Sequence, residues 1–271
     1  MPNGRLFLAA LATSSLALPG LATAQDDGPP ADGFQVTLGA GAMYAHDYRG
    51  GEDYEFQPLP IVGLRYQRGA MSFELQGLSA KAGIEPVEGL RLGPIVRYAP
   101  GRDSDLENEA VSRLSTIDDS VEVGGFLEYQ LYRDQYGREV EMGLQALADV
   151  NDGHGGMLAE ASVEYGMPLT ESLHFSIGAN TVWVDGDYMN TVFGVTPEGS
   201  AASGLPVYSP GSGIESAGLE IGLRYDLSHS WTVMTRASYE RLMGDAADSP
   251  IVSDEGSPDQ FQLGVGVAYR F

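Results

Sequence analysis

The end of the chain alternates between apolar residues and small or polar residues without interruption. A β-strand repeats every two residues, so this segment is predicted to be a strand with one wholly apolar face. Because the chain also ends on an aromatic residue, the pattern is typical of the closing strand of an outer-membrane β-barrel, in which lipid contacts the apolar face. The apolar positions are Phe261, Leu263, Val265, Val267, Tyr269 and Phe271.

The same alternation recurs from Phe34 onward, at a spacing of about 10 to 14 residues. Strands of about 9 to 11 residues are long enough to cross a bilayer at the tilt of a barrel. After residue 24 no run of 18 uncharged apolar residues occurs, so membrane helices are not expected. The predicted strands are 34–45, 58–67, 70–84, 89–99, 120–132, 138–150, 155–167, 172–184, 214–227, 230–243 and 260–271.

The number of predicted strands has to be even, because a bacterial barrel of this kind keeps both termini in the periplasm. Segment 70–84 is the weakest of the eleven, since Gly77 and Gly83 interrupt it and could divide it into two short strands. We therefore predict an all-β, antiparallel barrel of twelve strands over 34–271, with ten strands as the alternative. The long loops are predicted to lie outside, at 100–119, 185–213 and 244–259, with helix-like segments only at 106–114 and 196–202.

The start of the chain is typical of a secretory signal peptide. Arg5 precedes an apolar run over residues 6–18, and Ala22 and Ala24 supply the small residues of a cleavage site. The run is too short for a comfortable membrane-spanning helix, which makes a permanent anchor the less favoured alternative. We predict a signal peptide at 1–24, a short periplasmic lead at 25–33, and export to the outer membrane of a Gram-negative bacterium.

Charge and cysteine content limit the possible partners. The chain has 38 acidic and 15 basic residues, a formal net charge of −23, so nucleic acid is not expected to bind. It has no cysteine, which excludes disulfides and thiolate metal sites.

Three passages resemble the MltA-interacting protein family, also called MipA/OmpV. They are YMNTVFGVTPEGSAASGLPVYSPGSGI at 188–214, YERLMGDAADSPIV at 239–252, and the ending GVGVAYRF, with a weaker likeness in the first hairpin. The resemblance implies an outer-membrane barrel that acts as a scaffold in cell-wall maintenance, between a lytic transglycosylase and a bifunctional penicillin-binding protein. It implies no catalytic residues.

The polar faces of the predicted strands carry charges of both signs, which should pair within the barrel. This network favours a plugged or narrow lumen over an open pore. Aromatic residues are predicted to mark the membrane edges and, at the terminus, the signal that barrel-assembly machinery reads. The inward charges include Glu122, Glu128, Arg224, Arg236, Glu240 and Arg270, and the membrane and assembly residues are Phe271, Tyr269, Trp231 and Tyr239.

Candidates for catalysis or metal binding are few. His46 and His154 fall in predicted loops and His229 in a turn, while His174 shares a strand face with Ser176 and is more simply explained as polar filling. An acidic group near the last outer loop could bind calcium, but it fits no EF-hand spacing. We expect no catalytic residue, cofactor or metal site. The acidic group consists of Asp245, Asp248, Asp254, Glu255 and Asp259.

The functional prediction is a non-enzymatic scaffold in contact with outer-membrane lipid. Two alternatives remain open. The charged lumen favours a narrow channel or transporter for small solutes, and the loops at 185–213 and 244–259 could serve a surface adhesin.

Overall fold

The computed structural model describes residues 32–271. The predicted signal peptide and most of the predicted periplasmic lead lie outside the described residues. Twelve antiparallel strands form a closed barrel in which each strand pairs with its sequence neighbours and the last pairs with the first. The strands are β1 (Gly33–His46), β2 (Tyr54–Arg68), β3 (Met71–Gln76), β4 (Ser79–Val87), β5 (Leu90–Ala99), β6 (Ser120–Arg133), β7 (Glu139–Asp149), β8 (Met157–Pro168), β9 (Leu173–Val184), β10 (Gly213–Asp226), β11 (Trp231–Leu242) and β12 (Asp259–Arg270).

The prediction of twelve strands is confirmed. The weak segment 70–84 forms two strands, β3 and β4, joined by a turn in which Gly77 has a φ of 53°. Closure leaves no open edge between first and last strands, since Leu38 pairs with Tyr269 and Tyr44 with Leu263. An even number of strands puts residue 33 and Phe271 at one rim, which we call the periplasmic rim, and the long loops at the outer rim.

Alternation along each strand separates a lipid-facing surface from the lumen. On β12, Leu263 and Val265 are exposed on the outside, whereas Gly266 and Ala268 are buried on the inside. On β11, Trp231 and Ala237 point outward and Met234 and Glu240 inward. The outer surface is therefore an apolar band suited to lipid. None of the helices within residues 32–271 is long and apolar enough to cross a membrane.

The outer loops contain more helix than the sequence predicts. The segment 196–202 does form a helix, α2 (Pro197–Ser203), capped by the Thr196 side chain. Segment 106–114 forms only a 3₁₀ turn at Val111–Arg113, because the Asn108 side chain accepts hydrogen bonds from the N–H groups of 110 and 111 and makes a turn there. Three further helices contradict the prediction that only two loop segments are helix-like: α1 (Gly186–Phe193), α3 (Gly244–Ala247) and α4 (Pro250–Ser253).

Candidate functional site

Helix α1 fills the outer part of the lumen. The Asp185 side chain accepts a hydrogen bond from the backbone N–H of Tyr188 at 3.0 Å, which begins the helix. Met189 and Phe193 have no exposed surface, and burial of such side chains is worth about 1.5–3 kcal/mol each. They pack against inward-facing side chains of the barrel wall, together with Ala246 of α3 and Val252 of α4. The wall residues are Ile95, Phe126, Leu147, Leu158, Val182, Val184 and Leu242.

A second apolar cluster lies in the loops at the outer rim and joins four of them. The Tyr48 hydroxyl donates to the carbonyl of Glu255 at 3.0 Å, and the Asn108 side chain donates to the Glu255 carboxylate at 3.0 Å. The Ser249 hydroxyl donates to the Phe193 carbonyl at 2.6 Å, which joins α4 to the end of α1. The loops thus form one packed layer that closes the outer mouth. Its apolar residues are Tyr48, Val111, Leu114, Val195, Leu205 and Ile251.

A buried ionic cluster anchors the first loop, 47–53, to the barrel wall. Arg49 donates from Nε and Nη2 to the two carboxylate oxygens of Glu215, at 2.9 and 2.8 Å. It also donates from Nη1 and Nη2 to Glu240, at 2.6 and 2.9 Å, and the Ser216 hydroxyl donates to Glu240 as well. Burial lowers the pKa of Arg49, but the two neighbouring carboxylates together outweigh burial and hold this pKa above its ordinary value. Bidentate geometry on both sides fixes the position of the loop.

Glycine is required at the residue after Arg49. Gly50 has a φ of 89°, and a Cβ there would lie 2.6 Å from the Cγ2 atom of Val252. Its backbone N–H points to the Gln260 side chain, and Gln260 donates to the carbonyl of Gly51 at 3.0 Å. The first and last outer loops therefore lie in direct contact.

Sequence alternation predicts Glu240 inside but misses Glu215 and Arg49. A register shift between Ile214 and Ser216 marks a β-bulge in β10. The bulge leaves Ile214 exposed and turns both Glu215 and Ser216 inward, so Glu215 departs from the alternation of its strand. The loop 47–53 has no periodicity, so nothing in the pattern locates Arg49 in the lumen.

A second buried group lies on the opposite wall. His154 Nε2 lies 3.0 Å from the Glu122 carboxylate, whose other oxygen accepts from Arg97 Nε. The backbone N–H of Gly156 donates to His154 Nδ1 at 3.0 Å, so the ring proton belongs on Nε2 and the imidazole donates to Glu122. Both ring nitrogens are therefore in use, which leaves neither free as a general base.

The periplasmic half of the lumen is ionic. Lys81 donates to Glu128 at 2.7 Å, and Arg91 bonds both Glu128, at 2.7 Å, and Glu74, at 3.1 Å. Farther round the wall, Arg236 is paired with Glu220. These opposite charges are paired between adjacent strands or between strands one apart in the wall.

Burial also shifts the pKa values of Asp47 and Arg102 in the outer loops. Burial raises the pKa of Asp47 to about 6, although the backbone N–H groups of Glu107 and Tyr48 oppose the shift. Burial lowers the pKa of Arg102 to about 10. Arg102 donates to the Val192 carbonyl of α1 at 3.2 Å. Arg102 is thus enclosed where its loop contacts α1, which together with α3 and α4 we call the plug.

A family model described as MltA-interacting protein MipA matches residues 38–271. The chain belongs to the MipA family. No curated protein sequence matches it. In structure, this MipA-family barrel is similar to an outer membrane channel from Pseudomonas putida F1, with a TM-score of 0.53 and 12% identity over 91% of this chain and 98% of that chain. That likeness concerns the fold alone.

A lower similarity relates the barrel to the translocator domain of the autotransporter NalP from Neisseria meningitidis. The TM-score is 0.46 and the identity 14%, over 90% of this chain and 91% of that chain. The family match and the lipid-facing exterior together make this MipA-family chain an outer-membrane β-barrel.

The residues predicted for the membrane edge lie at the two rims of the MipA-family barrel. At the periplasmic rim the rings of Trp231 and Tyr269 are 5.1 Å apart, and those of Tyr269 and Phe271 are 4.7 Å apart. At the outer rim Tyr239 packs against Phe261 with centroids 4.9 Å apart. These aromatic groups form bands of the kind that flank the lipid-facing surface of such barrels.

The predicted inward charges divide between the two halves of the lumen. Glu122 and Glu240 belong to the buried groups of the outer half, and Glu128 and Arg236 to the ion pairs below them. The remaining two predicted arginines lie near the periplasmic rim: the Arg224 Nε atom is 3.6 Å from Asp226, and Arg270 donates to the His229 carbonyl at 2.6 Å.

The other histidines do not assemble into a site. His46 is the last residue of β1 and is buried, not part of a loop as predicted, because the β1–β2 hairpin extends to the His46–Tyr54 pair. His174 lies 3.9 Å from Asp226, and His229 lies in the turn after β10.

Two of the acidic residues that were weighed as calcium ligands, and not favoured, accept hydrogen bonds from separate partners. Asp245 accepts from the Gly211 N–H at 2.7 Å, and Asp259 accepts from Arg241 at 2.6 Å. Within residues 32–271, no group of three or more His, Cys, Asp or Glu is arranged to hold a metal ion.

Proposed function

We propose that this chain is a non-enzymatic scaffold whose periplasmic rim holds cell-wall enzymes close to the outer membrane. Its partners would be a lytic transglycosylase and a bifunctional penicillin-binding protein. The family description supports the first partner, because it is that of a protein that interacts with MltA.

The closed outer mouth is the observation that carries the proposal. A diffusion channel needs a continuous water-filled path, whereas here α1 packs its apolar side chains on the lumen wall and four loops cover it. A barrel closed in this way favours function through contact at its rims over passage through its centre. The use of both His154 nitrogens by fixed partners also favours a non-enzymatic role.

The periplasmic turns offer exposed side chains for such contact. Tyr136 lies between β6 and β7, Leu169 between β8 and β9, and Leu227 between β10 and β11. All three are exposed apolar or aromatic residues on turns at the same rim. They are suitable positions for a photo-crosslinking amino acid.

Crosslinking in intact envelopes tests the scaffold proposal. We expect the crosslinker at Tyr136 or Leu169 to capture a lytic transglycosylase or a penicillin-binding protein. The matched control is Val207, which is also exposed but lies on the outer loop 185–212, and it should capture neither. Capture of the same abundant porins from both rims, with no cell-wall enzyme, would contradict the proposal.

A second candidate function, passage of small solutes, would use the charged lumen beneath the plug. A cavity of about 30 Å³ lies in the lumen, bounded by Met43, Leu59, Met234 and the Glu220–Arg236 pair. Passage would require α1 to leave the lumen, which conductance measurements can detect.

A further inference from the structure

One hairpin of the barrel wall is much shorter than the rest. β3 has 6 residues, whereas its neighbour β2 has 15. Six residues at about 3.3 Å each, tilted by about 40°, rise about 15 Å, roughly half of the ~30 Å hydrocarbon core. The tip at 77–78 therefore ends near the middle of the bilayer.

The short hairpin leaves part of β2 without a strand on one side. β2 pairs with β1 along nearly its whole length, from Tyr54 to Gln67, but with β3 only from Gly63 to Arg68. On the other side of the hairpin, β5 pairs with β4 up to Arg97. On the β5 side the hairpin reaches nearly to the end of the strand, since the Tyr98 N–H donates to the Leu78 carbonyl at 2.9 Å. The wall consequently has an opening in its outer half, above the hairpin tip and beside residues 54–62 of β2. We call this opening the lateral window.

The open edge of β2 lacks some of the backbone N–H groups that a neighbouring strand would otherwise pair. The Val62 carbonyl accepts from the Gly77 N–H at 3.0 Å, so the backbone groups of Val62 point toward the hairpin. By the two-residue repeat, residues 60 and 58 point to the same side, and both are proline. Proline has no N–H, so no donor faces the window at these positions. Phe56, 79% exposed, continues the apolar edge on the lipid side.

Above the window, the loop 100–119 crosses from β5 to the first and last outer loops, where Asn108 donates to Glu255. The window is therefore bounded by β2, β5, the β3–β4 tip and this loop. The side chains of Phe56, Pro58 and Pro60 beside the window are exposed on the lipid side.

Arg97 lies on the lumen side of the window, at its lower corner. It pairs with Ser79, the first residue of β4 after the hairpin tip. Its Nε donates to Glu122, but Nη1 and Nη2 are buried and have no hydrogen-bond partner within residues 32–271. Buried donors without partners are costly, and a guanidinium edge with two free NH2 groups matches the two oxygens of a carboxylate.

We propose that the lateral window admits a single-chain amphiphile of the fatty-acid class from the outer leaflet, and that Arg97 binds its carboxylate through Nη1 and Nη2. The alkyl chain lies along the apolar edge of β2 at Phe56, Pro58 and Pro60. The apolar edge of β2 and the unpartnered guanidinium of Arg97 are independent observations. The alkyl chain of a fatty acid matches the first, and its carboxylate matches the second. This activity goes beyond the contact function proposed above.

The test uses the purified full barrel in bilayer discs of phosphatidylcholine and a fatty acid that carries a diazirine on its alkyl chain. After illumination, we expect labelled peptides to map to residues 54–62, 76–79 and 95–99. The analogous long-chain alcohol, which lacks the carboxylate, should label these peptides roughly tenfold less, as loss of a charge-assisted hydrogen bond predicts.

The deciding variant is Arg97→Gln with Glu122→Gln, which removes the guanidinium without leaving a buried carboxylate unpaired. It should lower labelling at the window by roughly tenfold. Arg236→Gln with Glu220→Gln removes an ion pair elsewhere in the lumen and serves as the control, with unchanged labelling expected. Heat-modifiable migration confirms that both variants fold. Uniform labelling around the lipid-facing surface, or labelling at the window that neither the alcohol nor the Arg97 variant reduces, would overturn the proposal.

Discussion

The two halves of the barrel interior are filled by different chemistry. In the outer half, α1, α3 and α4 bring apolar side chains to the wall, and Phe193 and Met189 are fully buried there. In the periplasmic half, the wall side chains themselves fill the space as ion pairs, such as Arg91 with Glu128 and Arg236 with Glu220.

This difference shows which half of the interior can change without loss of the barrel wall. The ion pairs of the lower half join strands of the wall to one another and belong to the barrel itself. The plug of the upper half comes from loops that enter the lumen, and one arginine, Arg49, anchors the first of these loops to the wall. Changes in the two halves should therefore have separable effects: loss of the plug should open the mouth without unfolding the barrel.

Arg49→Ala should have the largest effect on the outer half. The change leaves Glu215 and Glu240 buried without their cation, which typically costs 3–5 kcal/mol. We therefore expect the free energy needed to open the outer mouth to fall by about 4 kcal/mol. Hydrogen exchange of the Gly51 N–H, which is bonded to the Tyr48 carbonyl at 2.9 Å, measures this change. Arg113→Ala, an exposed arginine of the neighbouring loop, is the control. Equal exchange rates in the two variants would show that Arg49 does not hold the loop.

Phe193→Ala should loosen the plug itself. Removing a fully buried phenylalanine costs about 3 kcal/mol or more, because a cavity remains in the packed cluster. Limited proteolysis should then cut loop 185–212 faster, while heat-modifiable migration of the barrel stays normal. Val207→Ala, at an exposed position of the same loop, should leave the cleavage rate unchanged. Simultaneous loss of the barrel would contradict the separation of plug and wall.

Val265→Arg tests the assignment of faces at the middle of β12. Val265 points to lipid, and an arginine near the bilayer midplane costs about 2–4 kcal/mol. The matched variant Gln262→Arg places the same side chain on the lumen side, beside the cavity, and should cost less. Free energies of unfolding from lipid-refolding titrations compare the two. Equal costs would mean that the assignment of faces is wrong.

Asp47→Asn should have the smallest effect, and its sign depends on pH. The folded-state pKa of Asp47 is raised to about 6, above its ordinary value of 3.8, so the folded state holds this proton more tightly than the unfolded state. Stability of the outer mouth should fall as pH rises between about 4 and 6 and stay low above that range. Because Asp47 as a whole residue is partly exposed and solvent screens its charge, Asp47→Asn should gain about 1 kcal/mol at most at neutral pH. Exchange rates at pH 4 and pH 7, with Glu52→Gln as the exposed control, measure the gain.

Alternation in the sequence was sufficient to predict the wall but not the plug. Strands keep a two-residue repeat, so β12 and the division of 70–84 into β3 and β4 could be predicted. Helix α1 has only eight residues, too few for a sustained helical stripe, and its one local signal is the capping side chain of Asp185. The β-bulge at Glu215 reverses the face of a residue without any mark in the alternation. The position of α1 in the lumen and the inward turn of Glu215 depend on long-range packing, which a local sequence pattern does not contain.

Single-channel conductance in planar bilayers tests most directly whether the mouth is closed. The native barrel should give no regular conductance steps, since α1 and the loops close the lumen. The double variant Arg49→Ala and Phe193→Ala should give regular conductance steps, because both the anchor of the first loop and the packing of the plug are weakened. Stable, uniform steps from the native protein, equal to those of the double variant, would contradict the account of a barrel that acts by contact.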